Sequence, residues 1–360
     1  MRTALALARR GLGQVWPNPA VGCVIVNNDH VVGRGWTQQG GRPHAETEAI
    51  KRAGAAARGA TAYVTLEPCS HQGETPPCTG ALIGAGVARV VAAMTDPDPR
   101  VAGQGFAALR ATGIEVELGM CEDEAKAINR GYLKRLTDEL PLVTLKTAIT
   151  TDGRIATESG ESQWITGPES RAEAHRLRSD HDAIAVASAT VLADDPELTC
   201  RLPGMRDRSP VRVLLDAHLR VPTDAKLYAT AHEVPLWVFS AVPSDDPKVQ
   251  ERTKMGAEHF TVATDGSGHG VNLRQSFGQL AERGITRLLA EAGGMLASAL
   301  LRDGLVDDLV VFRAPKLLGG DGVPMTGPLG IEALDQHLPL HRTAVRALGN
   351  DVVETFRLSD

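Results

Sequence analysis

The chain of 360 residues holds no apolar run long enough to cross a bilayer, which takes about 18 residues or more, so no membrane helix is expected. Its opening, MRTALALARRGLGQVW, has a short apolar stretch spaced as in an amphipathic helix and lacks the h-region of a secretory signal. A cytoplasmic protein is therefore expected. Cysteine is scarce: five residues, at 23, 69, 78, 121 and 200, an odd number that argues against a disulfide framework. Cys23 and Cys200 read as ordinary small apolar residues. No C-x-x-C is present, which excludes a thioredoxin-like redox pair. There is no broad basic excess either. Up to residue 140 the chain has 15 Lys and Arg against 14 Asp and Glu, and beyond it 23 against 30, for a net charge of −6. Neither part is basic enough for a nucleic-acid surface, although one or two local arginines suffice for a small anionic substrate. No internal repeat or low-complexity tract appears.

What remains is an ordinary globular composition, 42% hydrophobic and 23% charged, in a chain long enough for two domains. Residues 1–12 read as a helix, and AVGCVIVNNDHVVGRGWT reads as two strands around an Asn27-Asn28-Asp29 turn. AETEAIKRAGAAA is helical, and ATAYVTLEP is a strand that runs into the polar, proline-rich segment PCSHQGETPPC. Helices near 78–85, 103–112 and 122–136 then alternate with the strands ARVVAAM and GIEVEL, which predicts a layered α/β domain with a mixed sheet. Pro141 in TDELPLV marks a joint. A second α/β pattern follows, with strand-like runs in LVTLKTAIT, AIAVAS, VRVLLD, LWVFS and TRLLAEAGG and a helix in PESRAEAHRLRSD. LVVFRAPKLLGG and DVVETFRLS predict an antiparallel closure near the end. Two domains are expected, 1–139 and 142–360.

Three short elements of the first half carry chemistry. His44-Ala45-Glu46 opens a helix, Cys69 follows Pro68 at the end of a strand, and Cys78 follows Pro77 at the start of another helix. Zinc takes thiolate and imidazole ligands, and a catalytic site uses three of them with water in the fourth position. A helix start favours the thiolate. Glu46 lies two residues from His44, so a regular helix turns it to another side, where it can move protons for a water and a departing amine. Alone, a histidine at a helix start is usually a cap, and a lone cysteine is usually core. The ordered conjunction H-A-E, P-C, P-C points to a metal site, and zinc nucleobase deaminases carry the similar H-x-E…P-C-x-x-C. His71 as a fourth ligand would make the site purely structural.

PNPAVGCVIV, HAETEAI, YVTLEPCSHQGETPPC and GVARVV together closely resemble the deaminase half of the bifunctional riboflavin-biosynthesis deaminase–reductases. The eight residues between the cysteines separate that group from cytidine and tRNA-adenosine deaminases. The resemblance implies a cytidine-deaminase-like three-layer α/β/α domain, with Zn2+ on His44, Cys69 and Cys78, Glu46 as proton shuttle and Asn18 in the substrate pocket. Members of the family often have a basic residue where this chain has Glu74.

In the second half, TRLLAEAGGMLASALL reads as a strand, a Gly293-Gly294 turn and a helix, where exposed N–H groups suit an anion. No GxGxxG follows a strand and opens a helix, so a Rossmann fold is not expected. LKTAITTDGRIATESGESQWITG, HRLRSDHDAIAVASATVLADDPELTCR and EAGGMLASALL resemble the reductase half of the same family, so the likeness covers nearly the whole chain. It implies a dihydrofolate-reductase-like α/β domain. It places NADPH on Ala148, Trp164, Thr190, Asp194 and the run Gly293, Gly294, Met295, Leu296, Ala297, Ser298 and Ala299. It places substrate on Ser162, Arg178, Leu198, Arg201 and Glu291. The chain departs from the family at Ala217, where a hydroxyl-bearing residue is common, and at Gly294, where proline is common.

The resemblance implies two successive reactions. The first is zinc-dependent hydrolysis of the 2-amino group of 2,5-diamino-6-(5-phosphoribosylamino)pyrimidin-4(3H)-one. The second is NADPH reduction of its ribosyl to the ribityl side chain. The expected partners are this small phosphorylated pyrimidine and a second copy of the chain in a homodimer, with no nucleic acid and no membrane. A tRNA base deaminase, which predicts a basic face, and a non-catalytic zinc-stapled binding module, which needs a fourth ligand, are the rival readings.

Overall fold

The computed structural model describes residues 1–73, 76–99 and 102–358, in two compact units, Met1–Leu140 and Pro141–Asp360. The first unit runs α1 (Arg2–Ala8), β1 (Gly22–Asn27), β2 (His30–Trp36), α2 (Ala45–Ala53), β3 (Thr61–Val64), α3 (Cys78–Ala85), β4 (Arg89–Ala92), α4 (Gln104–Ala111), β5 (Glu115–Leu118) and α5 (Glu122–Asp138). Its sheet has the order β2-β1-β3-β4-β5; β1 is antiparallel to both neighbours, and β3, β4 and β5 are parallel. The expected hairpin forms, with Asn28 and Asp29 at positive φ in its turn.

Two glycines let helices lie directly on this sheet. A Cβ at Gly22 of β1 would strike the Ala4 carbonyl of α1, and one at Gly35 of β2 would strike the Ala45 carbonyl of α2. Gly35 is paired with Cys23 and Gly22 with Trp36, so the two glycines face opposite sides and the sheet is sandwiched between helices. Cys23, Ile25, Val64, Leu82, Val90 and Leu109 are buried between the layers. A fully buried Leu82 or Leu109 contributes about 2 kcal/mol over an exposed one.

The second unit runs β6 (Leu142–Thr150), β7 (Arg154–Ala156), α6 (Pro168–Ser179), β8 (Ala183–Ala187), α7 (Ser188–Asp194), β9 (Val211–Leu215), α8 (Lys226–Ala229), β10 (Leu236–Ser240), α9 (Pro247–Lys254), β11 (Ala257–Thr261), α10 (Leu273–Glu282), β12 (Arg287–Glu291), α11 (Gly294–Arg302), β13 (Asp308–Ala314), β14 (Val323–Pro324), β15 (Leu340–Leu348) and β16 (Asp351–Leu358). Nine strands form one sheet in the order β11-β10-β9-β8-β12-β6-β13-β16-β15. The central strands are parallel and buried on both faces, which explains their mainly apolar runs, although β9 carries the buried Arg212. β16 pairs antiparallel with β13, the expected closure.

The sequence pattern does not disclose β11 or β15. Glu258 and His259 interrupt the first, and the second is exposed on both faces with only Leu348 half-buried. Both are sheet edges, where burial does not impose a hydrophobic period. Cys23 and Cys200 are buried. No described helix is long and apolar enough to cross a membrane.

Candidate active sites

In the first unit three chain segments converge. His44 is the N-cap residue of α2, and Glu46 lies in its first turn, buried. Cys78 opens α3 behind Pro77, and Cys69 lies beyond the end of β3, its sulfur accepting from the Cys78 backbone N–H at 3.3 Å. His44 Nδ1 is 3.2 Å from Cys78 Sγ and 3.6 Å from Cys69 Sγ, and the three ligand atoms lie within 4.8 Å of one another. Zinc with sulfur at ~2.3 Å and nitrogen at ~2.0 Å spaces its ligand atoms by roughly 3.6 to 3.8 Å, so the donor set and its spacing fit that ion. Among the described residues this is the only such cluster, and His71 is exposed and outside it. The fourth position is left without a protein ligand among the described residues.

The electrostatics match the grouping. A hydrogen bond with Cys78 holds the Cys69 thiol down at about 4, and the same bond pushes Cys78 well above its ordinary value. The hydrogen bond with Cys69 raises His44. Burial pushes the Glu46 carboxyl up to about 7, where a carboxyl can both accept and return a proton at neutral pH.

Asn18 shares one cavity of about 350 Å³ with His44, Glu46 and Cys69. Its loop is fixed from α5: buried Asn129 accepts from the Ala20 N–H at 2.9 Å and donates to the Ala20 carbonyl at 3.2 Å. Asn18 packs over Gly41, whose φ of +84° is open to glycine. Glu74 lies outside the described residues.

Several residues of this cavity escaped the sequence reading. Asp96 and Asp98 are buried in its wall, with Arg42, Tyr132 and Arg135 beside them. Burial raises Asp96, whose Oδ1 accepts from the Asp98 N–H at 3.0 Å and the Tyr132 hydroxyl at 3.3 Å. Glu67 supports that wall. Its carboxylate accepts the backbone N–H groups of Asp96, Gly103, Gly105 and Phe106 at 2.9 to 3.3 Å, which also satisfies the start of α4. A carboxylate one residue before Pro-Cys was the available signal, but its partners are 29 to 39 residues away.

In the second unit the candidate residues gather at the carboxyl ends of parallel strands, the edge at which open α/β sheets bind ligands. Ala148 is near the end of β6, Thr190 and Asp194 lie in α7 after β8, and Glu291 ends β12 before Gly293 and Gly294. Arg178, from the last turn of α6, grips Glu291 with two bonds, 2.7 and 2.9 Å, and donates to the Thr199 carbonyl at 3.0 Å. Lys146 stands 3.9 Å from the same carboxylate. Burial opposes ionisation of Glu291, but Arg178 and Lys146 outweigh it and hold the carboxyl down at about 2. Arg201 donates its N–H to His175 Nδ1 at 3.3 Å, and burial among these cations holds His175 at about 4, a neutral imidazole. Leu198, buried at φ +58°, lies in the loop between them.

The remaining candidates are less enclosed. Ser162 donates to Asp194 at 3.4 Å. Trp164 is 60% exposed, with the Arg171 guanidinium 4.8 Å over its ring and Lys316 Nζ donating to its carbonyl at 2.7 Å. Met295 is 76% exposed, whereas Leu296, Ala297 and Ser298 are buried, and Ser298 donates back to the Gly294 carbonyl at 2.8 Å. A Cβ on Gly294 would meet the Pro324 carbonyl at 3.0 Å, so the turn is tight. A dinucleotide fits this edge, which offers a glycine turn, an exposed indole and polar groups along neighbouring strand ends.

Comparison with known proteins agrees in both units. Residues 1–94 match the cytidine and deoxycytidylate deaminase zinc-binding region, and residues 141–354 match the RibD C-terminal domain. Riboflavin biosynthesis protein RibD of Escherichia coli is 44% identical over 98% of this chain and 96% of its own length. That of Aquifex aeolicus is 41% identical over 99% and 97%. Among solved structures, Acinetobacter baumannii RibD superposes with a TM-score of 0.89 at 38% identity, covering 100% of this chain and 98% of the other. A Thermotoga maritima diaminohydroxyphosphoribosylaminopyrimidine deaminase/5-amino-6-(5-phosphoribosylamino)uracil reductase superposes at 0.86 with 33% identity, covering 100% and 97%.

Proposed function

This chain belongs to the RibD family and is a bifunctional deaminase and reductase of riboflavin biosynthesis, and from that premise we propose how its residues divide the work. Residues 1–139 form the zinc-dependent deaminase and residues 142–360 the NADPH-dependent reductase. The single observation that carries the reading is the convergence of His44, Cys69 and Cys78 beside a buried Glu46, with His44, Cys69 and Glu46 lining one cavity.

His44, Cys69 and Cys78 hold zinc. When bound, the ion supplies a Lewis acid that makes water a nucleophile near neutral pH. Glu46 takes a proton from the attacking water and passes it to the ring nitrogen. It then takes the proton of the hydroxyl now bonded to C2 and delivers it to the 2-amino group, which leaves as ammonia as the C2 carbonyl forms. Its raised carboxyl suits both directions of transfer. Asn18 orients the pyrimidine in the cavity.

In the second unit NADPH, when bound, would supply the hydride for a new C–H bond at ribose C1, as the ring C1–O bond opens and its oxygen takes a proton from solvent. Ala148, Trp164, Thr190, Asp194 and the stretch from Gly293 to Ala299 bind NADPH. Arg178, Arg201, Ser162 and Leu198 receive the phosphorylated substrate, and Glu291 holds Arg178 toward it. Arginine suits a phosphate because its planar fork donates two bonds at fixed charge. The same reading has a homodimer in the cytoplasm, and light scattering at twice 38.2 kDa is the expected result.

The test follows the diaminopyrimidine through both steps. Ammonia release is expected to stop when a chelator strips the metal and to return with Zn2+. NADPH oxidation on the deaminated intermediate is expected to be insensitive to the chelator. Absence of ammonia release overturns the first assignment, and absence of NADPH oxidation leaves a deaminase with an inactive partner unit.

A further inference from the structure

NADPH differs from NADH by one phosphate on the adenosine ribose, so a preference between them requires a cation where that phosphate lies. In the second unit β12, β8 and β9 are successive parallel neighbours, with their carboxyl ends on one edge. Adjacent strands are about 4.8 Å apart, so the ends of β12 and β9 are roughly 10 Å apart. The proposed dinucleotide contacts Gly293 and Thr190 follow β12 and β8, and a Cβ at Gly293 would sit 4.0 Å from Thr190 Oγ1. One strand further, Arg220 follows β9, and its Nη2 donates to Ser188 Oγ at 3.0 Å, two residues before Thr190.

Arg220 is exposed, and among the described residues its one hydrogen-bond partner is that neutral hydroxyl, with no carboxylate at ion-pair distance. His218, in the same turn, is engaged elsewhere, 3.0 Å from the Gly268 carbonyl. The backbone under Arg220 is held from both sides. Buried Asp216 accepts the Val221 N–H at 2.8 Å. Buried Arg252 donates to the carbonyls of Leu219 and Val221, at 3.0 and 2.8 Å, the two residues that flank Arg220. A surface guanidinium without an anionic partner, on a backbone fixed by a buried carboxylate and a buried cation, is pre-organised for a ligand that brings the negative charge.

We propose that Arg220, positioned by the buried Ser188, binds the 2′-phosphate of NADPH and sets its preference over NADH. The proposal rests on the reading of this unit as a dinucleotide-dependent reductase. Full-length wild type, Arg220→Gln and Arg220→Lys are titrated with NADPH and NADH by quenching of protein fluorescence, and with adenosine 2′,5′-bisphosphate and 5′-AMP by calorimetry. Arg220→Gln is expected to weaken NADPH and the bisphosphate by about 10- to 100-fold, with NADH and 5′-AMP unchanged and Arg220→Lys intermediate. An unchanged ratio of NADPH to NADH affinity, or an equal loss for both, overturns the role of Arg220 while dinucleotide binding stands. Wild-type protein that binds neither dinucleotide overturns the reductase reading itself, and the role of Arg220 with it.

Discussion

The two units solve different problems at their sites. In the first, three ligand atoms lie within 4.8 Å of one another, and two of those residues line a single cavity with a buried carboxyl, so a metal ion and a proton carrier can be fixed against one another. In the second, the candidate residues spread along the edge of a parallel sheet, from the Arg178–Glu291 pair to the exposed Trp164 and Met295. Such an edge suits a long cofactor that carries its own chemistry, for which the protein supplies contacts and charge. Tight convergence therefore suits a compact metal ion and a proton carrier acting on one bond, and dispersed contacts suit an extended cofactor.

The sharpest way to break this comparison is Glu46→Gln. Deamination is expected to fall by about 10²- to 10⁴-fold, with zinc content by metal analysis and NADPH oxidation on the deaminated intermediate both unchanged. Loss of zinc in the variant would instead make Glu46 part of the structural support. Next comes Arg178→Ala, which leaves Glu291 buried without its bidentate partner. Reduction is expected to fail, and the second unit to lose about 3 kcal/mol in chemical denaturation, while ammonia release persists. A matching loss of deamination would show that the sites are not separable.

The smallest effect is the pH dependence of Glu291. Its folded value, about 2, lies below its ordinary 4.5, so its stabilisation is complete above 4.5 and is lost as pH falls through 2. Between those limits wild type is expected to lose up to about 3 kcal/mol that Glu291→Gln does not lose. Denaturation midpoints measured from pH 5 to 2 give the difference, and parallel curves would mean that the pair contributes nothing there.

Much of the fold was legible because local rules act within a few residues. The hairpin at Asn28-Asp29, the alternation from β3 to α5 and the buried runs of β8, β9 and β12 follow from period, turn chemistry and burial on both faces. So did the expectation of a metal site, since H-A-E, P-C and P-C each set their own local geometry at a helix start or strand end. β15 was not legible, because an edge strand exposed on both faces needs no apolar period. Nor were Asp96, Asp98 and the four N–H groups held by Glu67, or the link from Ser188 to Arg220, 32 residues apart. The sequence by itself determined which elements form and which residue types carry chemistry, because propensity and spacing are properties of neighbours along the chain. Only the tertiary structure decided which of those residues share a cavity or an edge, because the packing and strand pairing that bring distant residues together are settled by the whole core at once.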